Sequence, residues 1–471
     1  MSITAITWVV LYVGLAILSL RRSSFGIALY MLTVFLFPNA WWWGKELFET
    51  GIRWNLTAAL ILGAAVLLDG RSRSGGWSVR SRQVLLLLLL YAVNATIVHF
   101  LFANNPPRSF NGMQLLWKQV GLFVLILAAL KDEFDLKVMI YSIFLGCLYI
   151  GYEIVINDRG HFSESRLMGI HLPLLNEANY LAAALCLSLP LGAWLLFFGK
   201  RWEKILALVA LPLIGDVVLR CNSRAAFLSL IVAGTWVLIC SRGRLRRIAL
   251  AGAALAVLAL PFMMKDPDIK ERFMSTFVSS EERDASAQSR LDMWTQGAKM
   301  IMDYPLGSGA EAAFKSDLGL KYAREAGIYK RFAVHNGYLD IAAGWGVQGL
   351  LLYAGAIWLS WRTIRRARRS ARLRSRDAAT FLGICIEASL LVGLVNAVFA
   401  SNLDHEYFLW FMAMGLGYAQ IFSSSGREED ELVDEDDEDA SAGDGPMAWD
   451  PVPGPMDEVY GGREPAGASA P

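Results

Sequence analysis

The stretch VLLLLLLYAVNATIVHFLFA, Val84–Ala103, decides the fold, because it runs for the length of a membrane span without an Asp, Glu, Lys or Arg. A helix of about 20 apolar residues is needed to cross the roughly 30 Å hydrocarbon core of a bilayer. Blocks of the same kind recur along most of the chain, and 55% of its residues are apolar. The sequence therefore predicts an all-α polytopic membrane protein.

About 12–13 transmembrane helices are predicted from this pattern, of which the spans near 54 and 205 fit it least well. No Lys or Arg precedes the first apolar segment, so we expect a retained helix and not a signal peptide. The predicted spans are 3–20, 24–43, 54–69, 84–103, 110–130, 138–156, 177–199, 205–220, 224–241, 248–264, 335–361, 378–400 and 406–424.

The orientation follows from the distribution of Lys and Arg, which accumulate in the cytoplasmic loops of membrane proteins. One alternate set of short loops is rich in these residues, ending with a run of arginines from Arg362 to Arg376. We therefore expect that set to be cytoplasmic. The loops expected on the opposite face are 104–110, 157–176, 220–223, 265–334 and 401–405.

Three regions differ in composition. Residues 1–158 are predicted as N-terminal transmembrane helices, and 159–425 as a transmembrane core that includes the one long external loop, 265–334. From Arg427 onward the chain holds fifteen acidic residues against two arginines, a net charge of −13. This composition, rich in Pro and Gly and without apolar periodicity, predicts a disordered cytoplasmic tail over 426–471.

The sequence shows no pattern that predicts a metal site or a nucleic-acid partner. The cysteines lie in or beside apolar spans without CxxC spacing, and the five histidines show no ligand spacing, so no metal and no cofactor is expected. The charges of the external loop are nearly balanced, which argues against a nucleic-acid partner. The cysteines are Cys147, Cys186, Cys221, Cys240 and Cys385.

The first indication of a site is a set of cationic residues on the face opposite the cytoplasm. Membrane proteins usually have few cations on that face. A cation near a helix end usually snorkels to water, and each of these taken alone has that simpler explanation. Together they predict a cationic pocket at bilayer level, suited to a lipid-linked phosphate or pyrophosphate, because guanidinium groups bind phosphate oxygens in pairs. The residues are Arg166, Arg220, Arg224, Arg290 and His335.

The external loop is expected to contain a helix with an apolar stripe formed by Leu291, Trp294, Ala298 and Ile301. Arg290 and Trp294 are four residues apart and would share a face of that helix. Pro305, Gly307 and Gly309 would end it. In the following span, Asn336 is expected to cap the helix, and Gly344, Gly346 and Gly349 to permit close helix packing.

The motifs NSRAAF (222–227), SRLDMW (289–294), DYPLGSG (303–309) and HNGYLDIAAGWGVQGL (335–350) resemble the O-antigen ligase and polymerase superfamily. The resemblance covers roughly residues 160–420. The stretch LRRSSFGIALYMLTVFLFPNAWWWG (20–44) is similar, more weakly, to exosortase-associated O-glycosylation ligases.

This resemblance implies an inner-membrane glycosyltransferase of the GT-C type with its active site facing the periplasm. It would transfer a whole glycan from undecaprenyl pyrophosphate to a hydroxyl acceptor, without a metal. Arg224 and Arg290 would bind pyrophosphate, and His335 would be the essential histidine. Arg166, Arg220, Asn179, Asn336 and Trp294 are further candidates for binding pyrophosphate or glycan.

Three functions remain open from the sequence. A repeat-unit polymerase is favoured slightly over a ligase that attaches the glycan to lipid or protein, because a polymerase places fewer demands on an accessory acceptor domain. Candidate partners, besides the lipid-linked glycan and the bilayer, are a flippase and a chain-length regulator. A secondary transporter is the more distant alternative. Transporters tend to show repeated halves with ionisable groups near the midplane, but the polar residues within the spans, Asp216, Glu387 and Asn396, show no repeat.

Overall fold

The computed structural model describes residues 2–71, 76–163, 166–263, 285–310, 316–325, 327–329 and 333–423. These residues are mostly helical, which confirms the predicted all-α class, and they belong to one compact unit, Met1–Ser423. A short antiparallel hairpin, β1 (His161–Ser163) paired with β2 (Arg166–Met168), was not predicted. The predicted disordered tail and much of the external loop lie outside the described residues.

Each predicted span overlaps a helix of the described residues, although the span 24–43 is α-helical only as far as Phe35 and the helix in the span 335–361 continues to Leu373. The helices are α1 (Ile3–Arg21), α2 (Ser24–Phe35), α3 (Lys45–Glu49), α4 (Trp54–Leu68), α5 (Val79–Phe102), α6 (Pro106–Ala129), α7 (Glu133–Val155), α8 (Ala178–Phe198), α9 (Arg201–Arg220), α10 (Arg224–Cys240), α11 (Gly243–Met263), α12 (Ala285–Asp303), α13 (Asp317–Glu325), α14 (Gly337–Leu373), α15 (Asp377–Phe399) and α16 (Glu406–Phe422), with a 3₁₀ turn at Pro38–Ala40.

Seven of these helices are long and apolar enough to cross a membrane, and three further apolar helices are shorter. The chain is therefore a multi-pass membrane protein. The larger number of 12–13 crossings stays a prediction. The seven are α1, α5, α6, α7, α8, α14 and α15.

A network of charged side chains ties three turns together at one end of the helices. Arg22 and Arg71 both bind Asp135, at 2.7 and 3.2 Å, and Lys131 and Arg71 both bind Asp69, at 3.3 and 2.7 Å. Burial alone would raise the pKa of Asp69, but hydrogen bonds from Arg71 and from the Ser23 hydroxyl and backbone N–H hold it well below its usual range. The buried carboxylates of Asp69 and Asp135 are therefore matched by cations.

A second tie at the same end lies within the core. The Arg368 guanidinium on α14 binds the Glu387 carboxylate on α15 at 2.7 Å, and both side chains are almost fully buried. The indole of Trp236 on α10 donates a hydrogen bond to the same carboxylate at 2.8 Å. Three helices are thus joined where the sequence predicts the cytoplasmic side, hereafter the arginine-rich end.

The topology can be tested with reporters fused to the chain. We expect a fusion near Lys315 to report the side opposite the cytoplasm, and fusions near Arg369 and Asp436 to report the cytoplasm. The reason is the asymmetry of Lys and Arg among the short loops. Paired alkaline phosphatase and fluorescent-protein fusions measure this directly, and a cytoplasmic signal near Lys315 would contradict the orientation.

Candidate functional site

Helix α14 is broken at Gly346, whose backbone angles are φ 81° and ψ 167°. The break is filled by the Pro-Leu-Gly-Ser-Gly segment 305–309. Ser308 and Gly309 donate backbone N–H groups to the carbonyls of Ala343 and Gly344 at 3.0 and 2.9 Å. The PLGSG segment therefore replaces the hydrogen bonds that the break removes from the helix.

A third carbonyl at the break is bound from another helix. The side-chain amide of Asn94 on α5 donates to the carbonyl of Trp345 at 2.7 Å. Val347, directly after the break, donates its N–H to the carbonyl of Pro305 at 2.9 Å, which adds a third backbone hydrogen bond between α14 and the PLGSG segment. The PLGSG segment is thus hydrogen-bonded to α14, and α5 is hydrogen-bonded to α14 at the same break.

Gly346 and Gly307, where the PLGSG segment meets α14, are needed for their backbone conformation and not for close helix packing. Gly346 has a positive φ, which residues with a side chain rarely adopt. The sequence predicted that this glycine permits close helix packing, but it is needed because it allows the backbone conformation of the break. Gly307 also has a positive φ, 95°, and a Cβ there would lie 2.6 Å from the backbone nitrogen of Gly346. At Gly349 a Cβ would lie 2.9 Å from the Asn94 amide, so close packing does explain that glycine.

His335 is held in an unusual backbone conformation directly before α14. Its φ is 49°, in the left-handed region, and its side chain is half-buried. On one side, Asn336 caps the helix as expected, accepting from the N–H groups of Tyr338 and Leu339 at 3.0 and 3.1 Å. On the other side, the buried Val334 accepts a hydrogen bond from the Trp294 indole at 3.1 Å. Both neighbours of the histidine are therefore fixed.

The helix α12 that carries Trp294 also carries the half-buried Arg290, one turn earlier. The predicted apolar stripe of this helix was partly wrong: Trp294 and Ile301 pack inward, but Leu291 and Ala298 are exposed. The buried face is centred on Met293 and Met300 instead. It is turned toward Val334 and Ala343 of the α14 segment and toward Tyr322 and Ala323 of α13. Arg290 therefore lies one helical turn before Trp294, the residue that is hydrogen-bonded to the neighbour of His335.

Another corner of the site is formed by β2, α8 and the turn between α9 and α10. Arg166 on β2 lies within electrostatic range of Cys221, whose thiol contacts the backbone of Ala182 on α8, one turn from the half-buried Asn179. Arg224 is the first residue of α10, three residues after that cysteine. The structure therefore brings Arg166 and the start of α10 together.

Arg220 lies at the same turn but is engaged elsewhere. Its guanidinium binds Asp216 on its own helix at 2.6 Å. The chain turns between Cys221 and Ser223, so Arg220 and Arg224 belong to two helices and do not share the face that a continuous helix would have given them.

The two groups of residues meet along the last turns of α15. On one side, Asn396 binds the Ser229 hydroxyl of α10 at 2.8 Å. On the other, the Tyr338 hydroxyl at the start of α14 donates to the carbonyl of Leu394 at 3.0 Å. The Trp294 ring packs against Phe399, with centroids 6.2 Å apart. Arg224, Arg290 and His335 thus lie on three segments that surround the end of α15.

One residue at this end was not found from the sequence. His405 is the N-cap residue directly before α16, and its ring packs against Tyr180 on α8, next to Asn179, with centroids 4.8 Å apart. The polar run NLDHEY (402–407) between two apolar spans was the available signal.

The electrostatics of this end favour an anion. The N-terminus of a helix carries a partial positive charge, which favours an anionic ligand there. Arg224 occupies the first position of α10, whose first turn has no acidic residue. His335 directly precedes the cap of α14. Cationic side chains and helix N-termini therefore point to the same kind of ligand.

Comparison with known proteins adds an independent observation. Residues 207–354 match the family described as O-Antigen ligase. This match supports a likeness to the O-antigen ligase superfamily. It is 26% identical over 346 residues to a protein of Pseudomonas aeruginosa named "O-antigen ligase", covering 69% of this chain and 76% of that relative. The expected resemblance over roughly 160–420 is thus confirmed as a superfamily, and the family match itself is shorter.

The O-antigen ligase segment contains the break in α14, the PLGSG segment and most of the predicted site residues. Arg166 and Asn179 lie before it. The predicted residues within it are Arg220, Arg224, Arg290, Trp294, His335 and Asn336.

Replacing Gly307 by alanine should destabilise the protein by about 1 kcal/mol or more, because the added Cβ meets backbone atoms and the φ is positive. Thermal unfolding in detergent is the measurement. Gly234→Ala on α10 is the matched control, since nothing lies within 4 Å of its added Cβ. Equal unfolding temperatures for the two variants would show that the contact at Gly346 does not depend on Gly307.

At His335, two substitutions should separate backbone strain from chemistry. A left-handed conformation costs a side chain roughly 1–2 kcal/mol that glycine does not incur. We therefore expect His335→Gly to keep the wild-type unfolding temperature while losing glycan transfer, and His335→Val to lower it. The opposite order of unfolding temperatures would contradict the positive φ.

Proposed function

We propose that this chain transfers a preassembled glycan from undecaprenyl pyrophosphate to a hydroxyl acceptor, at the face of the bacterial inner membrane that faces the periplasm. The observation that carries the proposal is the position of Arg224. It is half-buried at the N-terminus of α10, in the corner that also contains Arg166, and near the end of α15 that Arg290 and His335 approach. The likeness to the O-antigen ligase superfamily supports it.

The reaction breaks the bond between the anomeric carbon of the glycan and the pyrophosphate oxygen. The bonding electrons leave with the lipid pyrophosphate, and the acceptor oxygen forms the new bond to the anomeric carbon. Arg224 and Arg290 would stabilise the charge that develops on the leaving group, since fixed cations in a site of low dielectric are most effective there. The proposal requires no metal.

His335 would serve the acceptor side of the reaction. A neutral imidazole can take the proton from the acceptor hydroxyl, and an imidazolium can instead hold a pyrophosphate oxygen. In either role the ring must stay in place. The hydrogen bond from Trp294 to Val334 and the cap at Asn336 fix the backbone on both sides of it. We assign Trp294 to positioning His335 through this bond.

The acceptor decides between a ligase and a polymerase. The slight preference of the sequence for a polymerase gains no support from the comparisons, because the family and the relative are both named as O-antigen ligases. We therefore propose ligation to a lipid or protein as the first candidate, and repeat-unit polymerisation, with a flippase and a chain-length regulator as partners, as the second.

The transporter alternative loses its main support. The three polar residues within the spans, which already show no repeat in the sequence, are each bound within the described structure. Asp216 binds Arg220, Glu387 binds Arg368, and Asn396 binds Ser229. Structural contacts therefore account for all three side chains.

Substitutions at the site test the mechanism. Arg290→Ala and His335→Ala should each lower transfer by about 10²–10³-fold while the protein stays folded and inserted. Arg224→Lys should also lose most activity, because an ammonium keeps the charge but not the paired hydrogen bonds. The losses should be far from additive, since the residues act on one transition state. The assay is donor consumption by purified protein with undecaprenyl-pyrophosphate-linked oligosaccharide and a chelator present.

Arg220→Ala is the control, because it removes an arginine at the same turn whose guanidinium is bound to Asp216. We expect a milder loss. Near-normal turnover of His335→Ala, or activity that returns only when a divalent metal is added, would refute the mechanism.

The two acceptor classes give different glycans in a strain without the gene. A ligase predicts full-length glycan that accumulates on its lipid carrier and is missing from lipid or protein. A polymerase predicts single repeat units where long chains were expected. Electrophoresis and mass spectrometry of the surface and carrier-linked glycans distinguish these outcomes. An unchanged glycan profile would contradict both.

A further inference from the structure

A cavity of about 570 Å³ opens at the arginine-rich end, away from the proposed catalytic residues. It lies between the starts of α7, α9 and α15 and the ends of α8 and α16. Its walls combine apolar side chains, among them Trp194, Phe198 and Phe422, with charged ones. A volume of this size is typical of pockets for small ligands, and the mixed lining indicates an amphipathic one.

The apolar part of this cavity is preformed. The Trp194 indole donates a hydrogen bond to the carbonyl of Ala378 at 2.9 Å, which joins the end of α8 to the start of α15. The Phe198 ring packs against Phe381 with centroids 5.4 Å apart. Two walls are therefore held in place across the cavity, which lowers the cost of ordering them around a ligand.

The charges of the lining are not equivalent. The Glu203 carboxylate is already bound by the Tyr141 hydroxyl and by the backbone N–H of Lys200. Glu133 and Asp377 are exposed in the first turns of α7 and α15, where the helix dipole stabilises an acid. The carboxylates are thus accounted for by hydrogen bonds or helix ends.

Among the described residues, the cationic side chains of the lining have no ion-pair partner. Within the described part of the chain, no ion pair involves Lys137, Lys200 or Arg376. This contrasts with the nearby network, where Arg71 and Lys131 are both paired with carboxylates. Cations beside a preformed apolar wall favour a ligand with an anionic head and an apolar body.

Aromatic side chains beside the cavity indicate that it lies at the level of the lipid headgroups. Trp202 is 53% exposed and packs against Tyr141 at 5.3 Å, on the helices that form one side of the opening. Exposed Trp and Tyr side chains are enriched at the level of the lipid headgroups. Basic pockets between helices on the cytoplasmic side are known to bind anionic headgroups.

We propose that this cavity binds one anionic phospholipid of the cytoplasmic leaflet. Lys137, Lys200 and Arg376 would contact its phosphate, and the aromatic wall would contact the first part of its acyl chains. The lipid would join α7, α8, α15 and α16 at the end where the Arg22 and Arg71 network joins other turns. The proposal does not depend on the glycan chemistry.

The test uses the full chain, purified in a neutral detergent, with lipid added. Phosphatidylglycerol should raise the unfolding temperature in a saturable manner, because a ligand that binds only the folded state stabilises it by mass action. Phosphatidylcholine with the same acyl chains should give a much smaller rise. Native mass spectrometry should retain one phosphatidylglycerol per chain.

Variants locate the effect. The double change Lys137→Gln and Arg376→Gln should abolish the phosphatidylglycerol shift, while the charge-conserving pair Lys137→Arg and Arg376→Lys should keep at least half of it. The matched control is Arg244→Gln with Arg246→Gln, which removes two exposed arginines from the same end outside the cavity. The control should keep the full shift.

Each alternative result overturns the proposal. An equal shift with phosphatidylcholine would indicate acyl chains alone, and an equal shift with inorganic phosphate would indicate a soluble anion. A shift that survives the double glutamine change, or that is lost equally in the arginine control, would place the lipid elsewhere.

Discussion

The hydrogen bonds at the break in α14 are the interaction on which the arrangement of the site depends. Three successive carbonyls, of Ala343, Gly344 and Trp345, lose their helical partners at Gly346 and are bound instead by Ser308, Gly309 and Asn94. Broken backbone is tolerated at membrane depth only where other groups of the protein satisfy it. The break therefore requires the PLGSG segment, and the carbonyls exposed by the break help to hold that segment in place.

From that contact the position of the site follows. The PLGSG segment directly follows α12, so fixing it to α14 also fixes the helix that carries Arg290 and Trp294. Trp294 in turn binds the carbonyl next to His335. The glycines Gly307 and Gly346 thus have a structural role at this contact, and the chemical role is the one we propose for the charged residues.

The two ends of the helices treat charge in different ways. At the arginine-rich end, buried carboxylates such as Asp135 and Glu387 are matched by guanidinium groups from neighbouring segments. At the other end, Arg224 lies at a helix N-terminus with no acidic residue in the same turn. A cationic side chain at a helix N-terminus is arranged as it would be for an anionic ligand, because the helix end carries a partial positive charge as well.

The sequence by itself determined the fold class, the location of the helices and the residue types of the candidate site. All three depend on local properties of the chain: the length of its apolar segments, the placement of Lys and Arg, and capping residues such as Asn336. It could not show that Asn94, within the apolar stretch Val84–Ala103, binds a carbonyl of α14. Nor could it show that Arg220 is bound to Asp216, or that the buried face of α12 is centred on Met293 and Met300. Those facts depend on which helices become neighbours and how each is rotated. Only tertiary packing sets these, because many rotations of an apolar helix are equally compatible with lipid.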